Sequence, residues 1–311
     1  MIEIEDPGPR ATVQDLGRPG YARLGVGRSG AGDRAALRLA NRLVGNPEGA
    51  AALELTLGGL RARFAGPALV AVTGAPCRVD ALINNRPGGL RADEAEGEGE
   101  DSGDNSADGG GPRDGGMDAP FLVRAGQALR IGAPVHGLRT YVAVRGGIDL
   151  PQVLGSRSTD TLSGIGPGIL APGTILRVGR ETAAFPNADL AVERRPPADT
   201  PFRIRLGPRE DRFTPGAIRV LTSLPYTVRP ETDRIGARLD GPVLERRGPG
   251  ELRPEGMVLG ALQVPPDGRP ILFLADHPVT GGYPVIAVLC AQGLDRAAQL
   301  RPGDTVRFRL G

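Results

Sequence analysis

No lysine occurs anywhere in the 311 residues, so all 38 basic side chains are arginines. A Walker-type phosphate loop, a Schiff-base enzyme and a biotin-carrying domain each need a lysine amine, and none of them can reside in this chain. Tryptophan is also absent, aromatic residues make up 4% of the chain, and the formal net charge is only +2. Such a chain has neither the stacking surface nor the basic field that holds nucleic acid. With His136 and His277 the only histidines, a multi-histidine metal site is excluded, and no Cys/His spacing suggests zinc. Cys77 and Cys290 lie far apart within apolar alternating runs and are expected as buried free thiols. No apolar run approaches the roughly 20 residues that span a bilayer. The opening Met1-Ile2-Glu3-Ile4-Glu5-Asp6 has no basic head or apolar stretch for export, so a cytoplasmic location is expected.

A hydrophobic content of 40% over this length supports an ordinary core and predicts two domains. One helix is plain in the pattern: Asp33 is placed to cap it, Leu37, Ala40 and Val44 form its apolar stripe, and Gly45 ends it. Short alternating runs follow, among them 53–57, 69–73 and 77–83, with glycine or proline at nearly every joint, so the chain reads as mainly β. Residues 91–118 are rich in acid, glycine and serine and are expected to form a disordered acidic insertion between two strands. A phrase recurs: Arg124-Ala125-Gly126-Gln127-Ala128-Leu129-Arg130-Ile131 is echoed at 301–308 and more loosely at 172–178, each a turn feeding a strand. A turn glycine before a strand is common in any β protein, but its recurrence near the ends of both halves points to two related barrels. The Pro-rich stretch 194–199 is the expected boundary, giving domains 1–195 and 196–311.

Four stretches carry chemistry. Thr12 to Tyr21 leads into Gly25-Val26-Gly27-Arg28-Ser29-Gly30-Ala31-Gly32-Asp33, where Ser29 and the Asp33 cap form a helix N-terminus suited to an anion, or serve as plain capping. Gly146-Gly147-Ile148-Asp149 runs to Ser156-Arg157-Ser158-Thr159, where a guanidinium between two hydroxyls matches a tetrahedral anion, or forms a local ion pair. Asp233-Arg234 follows Arg209 and offers a carboxylate kept ionised by its neighbour, available as base, as ligand for a metal-nucleotide, or as a simple ion pair. Last come Gln263-Val264-Pro265-Pro266-Asp267-Gly268 and Asp276-His277-Pro278-Val279-Thr280-Gly281-Gly282-Tyr283-Pro284, several reactive groups directly after an apolar strand. Asp276 and His277 point to opposite faces if both lie on the strand, which leaves Asp276 as the stronger candidate.

Taken in order, these stretches resemble the biotin-dependent carboxyltransferase-domain family that includes the C-type component of 5-oxoprolinase and the allophanate-hydrolase-subunit-2-like part of urea amidolyase. The resemblance implies two cyclophilin-like β-barrel domains with a few short helices and a site in the cleft between them or against a partner. It further implies the C-type component of an ATP-dependent 5-oxoprolinase, working with A-type and B-type subunits to open a lactam to glutamate, with ATP, optionally with Mg, bound by the complex. On that reading Asp233 and Asp276 handle a proton or metal, while Ser29, Arg157, Ser158, Arg209, Arg234, Gln263, Thr280 and Tyr283 bind substrate or phosphoryl oxygens. Two further roles are implied: carboxyl transfer to urea or another amide from biotin on another chain, and non-catalytic regulation of a B-type kinase inhibitor. Family members that carboxylate urea often carry lysine after the Tyr-Pro pair, whereas Val285 follows Pro284 here.

Overall fold

The computed structural model describes residues 1–82, 113–114, 116–186, 190–191, 200–248 and 252–311. The 194–199 boundary and most of the 91–118 insertion lie outside the described residues. The end of that stretch departs from the expectation of disorder. Arg113–Asp114 pairs with Asp80 and Ala81 as a strand, and the Asp118 N–H donates to the Val72 carbonyl at 2.8 Å.

Alternating apolar residues make the chain mainly β. In the first half, seven strands form a sheet in the order Gly146–Asp149, Ile175–Glu181, Ile2–Asp6, Arg61–Phe64, Ala128–Ile131, Val79–Leu82 and Arg113–Asp114. A five-stranded sheet runs Arg10–Gln14, Ala52–Thr56, Arg139–Val144, Ala68–Gly74 and Pro120–Val123. Ile2, Ile4, Leu53, Leu55, Leu129, Val142 and their neighbours from both sheets fuse into one core. In the second half an eight-stranded sheet runs Thr305–Val306, Tyr226–Val228, Gly236–Asp240, Ile271–Phe273, Ala261–Gln263, Val285–Leu289, Phe202–Leu206 and Phe308–Leu310 around its own core, which includes Ile204, Leu239, Leu272 and Ile286. The turn glycines of the recurring phrase, Gly126, Gly173 and Gly303, all have positive φ, so the echo records one kind of turn used in three places.

The expected helix is α1, Arg34–Leu43, capped by the Asp33 carboxylate accepting from the Ala36 N–H. Its Ala36, Leu37 and Ala40 cover the outer face of the five-stranded sheet at Ala52, Ala71, Tyr141 and Ala143. Among the described residues two further α-helices join it. Pro215–Ser223 (α2) begins with a Thr214 cap and proline at its first position, a start signal present in the sequence, and Leu294–Ala297 (α3) is a single turn. Cys77 and Cys290 are free and half-buried, with burial pushing the Cys77 thiol up to about 11.

Because the halves own separate cores, a cavity in either is expected to cost about 2–5 kcal/mol. Leu53→Ala and Leu272→Ala should each lower the melting temperature. One shared transition in calorimetry would show that the contacts between the halves couple them.

Candidate functional site

The two halves meet across a layer of buried charge. Glu54 lies in the middle of strand Ala52–Thr56 on the face covered by α1, and Arg234 reaches it from the second half, each side chain about 1% exposed. Every nitrogen of the Arg234 guanidinium has a partner: Nη1 donates to Glu54, Nε to Asp276 Oδ2 at 2.9 Å, and Nη2 to the Gly30 carbonyl at 2.6 Å and Asp276 Oδ1 at 3.1 Å. Glu54 also accepts from the Gly32 N–H at 2.9 Å and the Tyr141 hydroxyl at 2.7 Å, and lies 3.4 Å from Arg139 Nε. Asp276 accepts from the Ser29 hydroxyl at 2.6 Å, and from the Thr161 N–H and hydroxyl at 2.9 and 2.8 Å. Around this center Gln299 accepts from the Leu138 and Arg139 N–H groups and donates to Asp33, while Arg139 Nη1 donates to the Ala298 carbonyl.

Burial alone would raise both carboxyls. The positive charge of Arg234, with Arg139 beside Glu54, outweighs it, so Glu54 and Asp276 are held below the usual carboxylate range. Burial would likewise lower Arg234, but the two carboxylates keep it charged.

A second buried carboxylate ties two of the sequence stretches together. Asp15 accepts from the Gly17 N–H at 2.7 Å, the Ser156 and Ser158 hydroxyls at 2.7 and 2.5 Å, and the Arg157 N–H at 2.6 Å. The hydroxyls flanking Arg157 are therefore turned inward. The Arg157 side chain turns away, its Nε donating to the Leu150 carbonyl at 2.7 Å.

Of the residues singled out in the sequence, Ser29, Arg234 and Asp276 converge at the center of the seam, and Ser158 lies in the adjoining Asp15 cluster. Gln263, Thr280, Tyr283 and Arg209 gather elsewhere. The Gln263 amide donates to the Tyr283 carbonyl at 3.1 Å, and Thr280–Gly281 pairs with Glu255–Gly256, whose Glu255 forms an ion pair with Arg209. Asp233 stands apart on the surface, its carboxylate accepting from the Ile235 and Gly236 N–H groups at 2.7 and 3.1 Å as a turn-former.

Sequence reasoning passed over the groups that line the mouth of the seam. His277 is half-buried there, its Nδ1 2.8 Å from the Pro278 carbonyl and its ring 6.2 Å from that of Phe273. Burial pulls the imidazole below its ordinary range, with the nearby Arg34 charge adding to this and Asp276 and Asp160 opposing it. Burial and the charge of Arg28 likewise lower Arg34, whose Nε has no hydrogen-bond partner among the described residues. Gly27 brings the 25–30 loop against this mouth; a Cβ there would lie 3.6 Å from the His277 carbonyl and 3.7 Å from Asp160 Oδ2. The arrangement offers a neutral imidazole beside a guanidinium with an uncommitted donor, over a rigid ionic floor.

The family described as "Carboxyltransferase domain, subdomain A and B" matches residues 24–94 and 108–310. The C-type component of 5-oxoprolinase from Escherichia coli K12 is 34% identical over 99% of this chain and 90% of its own length. Urea amidolyase of Saccharomyces cerevisiae is 30% identical, again over 99% of this chain but only 16% of its own. Among solved structures, the crystal structure of TTHA0988 superposes with a TM-score of 0.80 at 32% identity, covering 99% of this chain, which spans 55% of that one.

Removing one partner of a buried ion pair leaves the other unpaired, so Arg234→Leu is expected to cost about 3–5 kcal/mol in chemical denaturation. Glu54 and Asp276 titrate lower folded than unfolded, where carboxyls lie near 4. Their contribution is therefore complete above about pH 5 and lost as pH falls through the folded values. Stability of the wild type should be flat from pH 8 to 5 and fall steeply below about 4, and Glu54→Gln, weaker at pH 7, should show a shallower acid limb.

Proposed function

The chain belongs to the carboxyltransferase-domain family, subdomains A and B, and from that membership we infer that it is the C-type component of an ATP-dependent 5-oxoprolinase. With A-type and B-type subunits it opens 5-oxoproline to L-glutamate. The observation that carries the assignment is the match to the Escherichia coli 5-oxoprolinase component along 90% of that protein, against 16% of the yeast urea amidolyase. The two sheet-wrapped cores are read as the family's two cyclophilin-like barrels, divided near residue 195, and the seam between them as the site. A cytoplasmic location accords with this role; among the described residues no helix is long and apolar enough to cross a membrane.

A lactam amide is a poor electrophile; ATP bound by the complex would supply activation by phosphorylating the lactam oxygen, after which water adds to that carbon, the ring C–N bond breaks with a proton passing to the nitrogen, and hydrolysis of the resulting acyl phosphate releases glutamate and phosphate. The interior of the seam does not fit the nucleotide. Every donor group of Arg234 is already committed to Glu54, Asp276 and Gly30, and among the described residues no group of three His, Cys, Asp or Glu side chains comes together to hold a metal ion. ATP and its metal are therefore assigned to the complex, and no step of theirs to these side chains.

What this chain contributes is a positioned mouth. Asp276 acts as a positioning residue, because Ser29, Thr161 and Arg234 already occupy its oxygens and its depressed pKa leaves it a weak base. It fixes the backbone from which His277 projects. The contact from Nδ1 to the Pro278 carbonyl requires the proton on Nδ1 in the neutral ring, so Nε2 carries the lone pair, accepts a proton from the attacking water and returns it to the ring nitrogen as the C–N bond breaks. Arg34, whose charge lies beside that imidazole, binds the substrate carboxylate through the terminal nitrogens of its guanidinium.

The assignment is tested by ATP hydrolysis and glutamate release from 5-oxoproline with all three components, each omitted in turn. Activity should require this chain; activity that survives its omission would favor biotin-supplied carboxyl transfer or regulation of a partner. Within the complex, His277→Asn is expected to lower kcat about a hundredfold or more. Arg34→Gln should mainly raise KM, by roughly ten- to a hundredfold. Because the imidazole is depressed, the acid limb of kcat/KM should lie below about pH 6.5 and disappear in His277→Asn.

A further inference from the structure

A cavity of about 570 Å³ opens in the first half, where strands Gly146–Asp149 and Ile175–Glu181 pair. It is not part of the seam. The strands are joined through an irregularity: Gly146 faces Glu181 and Ile148 faces Val178, so three steps along one strand answer two along the other. The extra residue is a β-bulge, which redirects the side chains that follow it. In an unbroken strand Arg177 and Arg180, three positions apart, would point to opposite faces. Here both line the same cavity, together with Arg157.

The backbone is specialised to allow this. Gly146 has φ of 96° and Gly147 of 71°, both in the region that favors glycine. A Cβ on Gly146 would overlap the Gly179 carbonyl oxygen, so the two strands approach this closely only because side chains are missing. Ala50, Ala51, Ile148 and Val178 supply an apolar wall.

Three arginines line the cavity against two carboxylates, Asp149 and Glu181, so the charges do not cancel. Asp149 lies 3.8 Å from Arg157 Nη2, and although Asp149 is the strand partner of Arg177, they form no ion pair. Neither Arg177 nor Arg180 has an ion pair or side-chain hydrogen bond among the described residues. Two uncommitted guanidiniums with a third behind them match a doubly charged tetrahedral oxyanion better than a single carboxylate. A volume in the range of small-molecule sites leaves room for an organic body beside that anion.

We propose that this cavity is a binding site for a small phosphate monoester, with Arg177 and Arg180 on the phosphate and the Ala50–Ile148–Val178 wall against the organic part. The proposal does not depend on the lactam-opening role and places this ligand away from the seam residues Arg34 and His277.

The experiment is calorimetric titration of the intact chain with AMP, inorganic phosphate and acetate at fixed ionic strength. AMP should bind, phosphate should bind more weakly and compete with it, and acetate should not compete at matched concentration. Arg177→Ala/Arg180→Ala should weaken AMP by at least about tenfold, and Arg180→Gln alone by about threefold. The remote pair Arg203→Ala/Arg309→Ala removes the same charge from neighboring strands of the second half and should leave affinity unchanged. Absence of AMP binding to the wild type, equal weakening by the remote pair, or full competition by acetate would each overturn the proposal. Thermal melts of the variants accompany the titrations; should the double variant melt early, Arg180→Gln decides.

Discussion

A buried arginine, Arg234, sits at the center of the contact between the two halves of this protein. Arg234 is buried against Glu54 and the Gly30 carbonyl on one side and Asp276 on the other, and each of its donor groups has a partner. An isolated charge in that position would be prohibitively costly to bury, so the seam tolerates it only because two carboxylates and a carbonyl arrive together. The loops at the mouth depend on this arrangement. Ser29 and Thr161 are anchored to Asp276, and His277 is the next residue along the chain.

The separation between saturated and unsaturated polar groups organises the molecule. Inside, Asp15, Glu54 and Asp276 each accept several hydrogen bonds and act as fixed points between elements distant in sequence. Outside, Arg177 and Arg180 keep uncommitted donors. Fixed points confer geometry and uncommitted groups confer binding, so chemistry belongs to the second kind even where the first kind looks more conspicuous in the sequence.

That distinction explains what could be read from the sequence and what could not. Strand Ala68–Gly74, over the alternating run 69–73, and helix α1 with its Asp33 cap were legible because their signals are local: alternation in one case, a cap and an apolar stripe in the other. Helix α2 was not read: its Thr214 cap and Pro215 start are local signals, but the helix is short and lies among β signals. Ser29, Arg234 and Asp276 were identified as polar residues in motif-like stretches, yet their mutual contacts span up to 247 residues of chain and left no trace in local spacing. Glu54 was missed for a plainer reason. A charge between Leu53 and Leu55 reads as the solvent face of a strand, and only the packing of α1 and the second half over that face makes it buried. The bulge that brings Arg177 and Arg180 together breaks the two-residue period on which any strand reading rests.

The pairing of Glu54 with a residue 180 positions further along also bears on how the protein is made. As the chain emerges from the ribosome, the first half can close its own core well before Arg234 exists. Until then Glu54 has only Arg139 as a nearby countercharge, and Ser29 and Thr161 have no Asp276 to bind. The nascent first half therefore waits with an open, hydrated face, and its final docking is a late event of synthesis that ends only when the last stretch of the second half is in place.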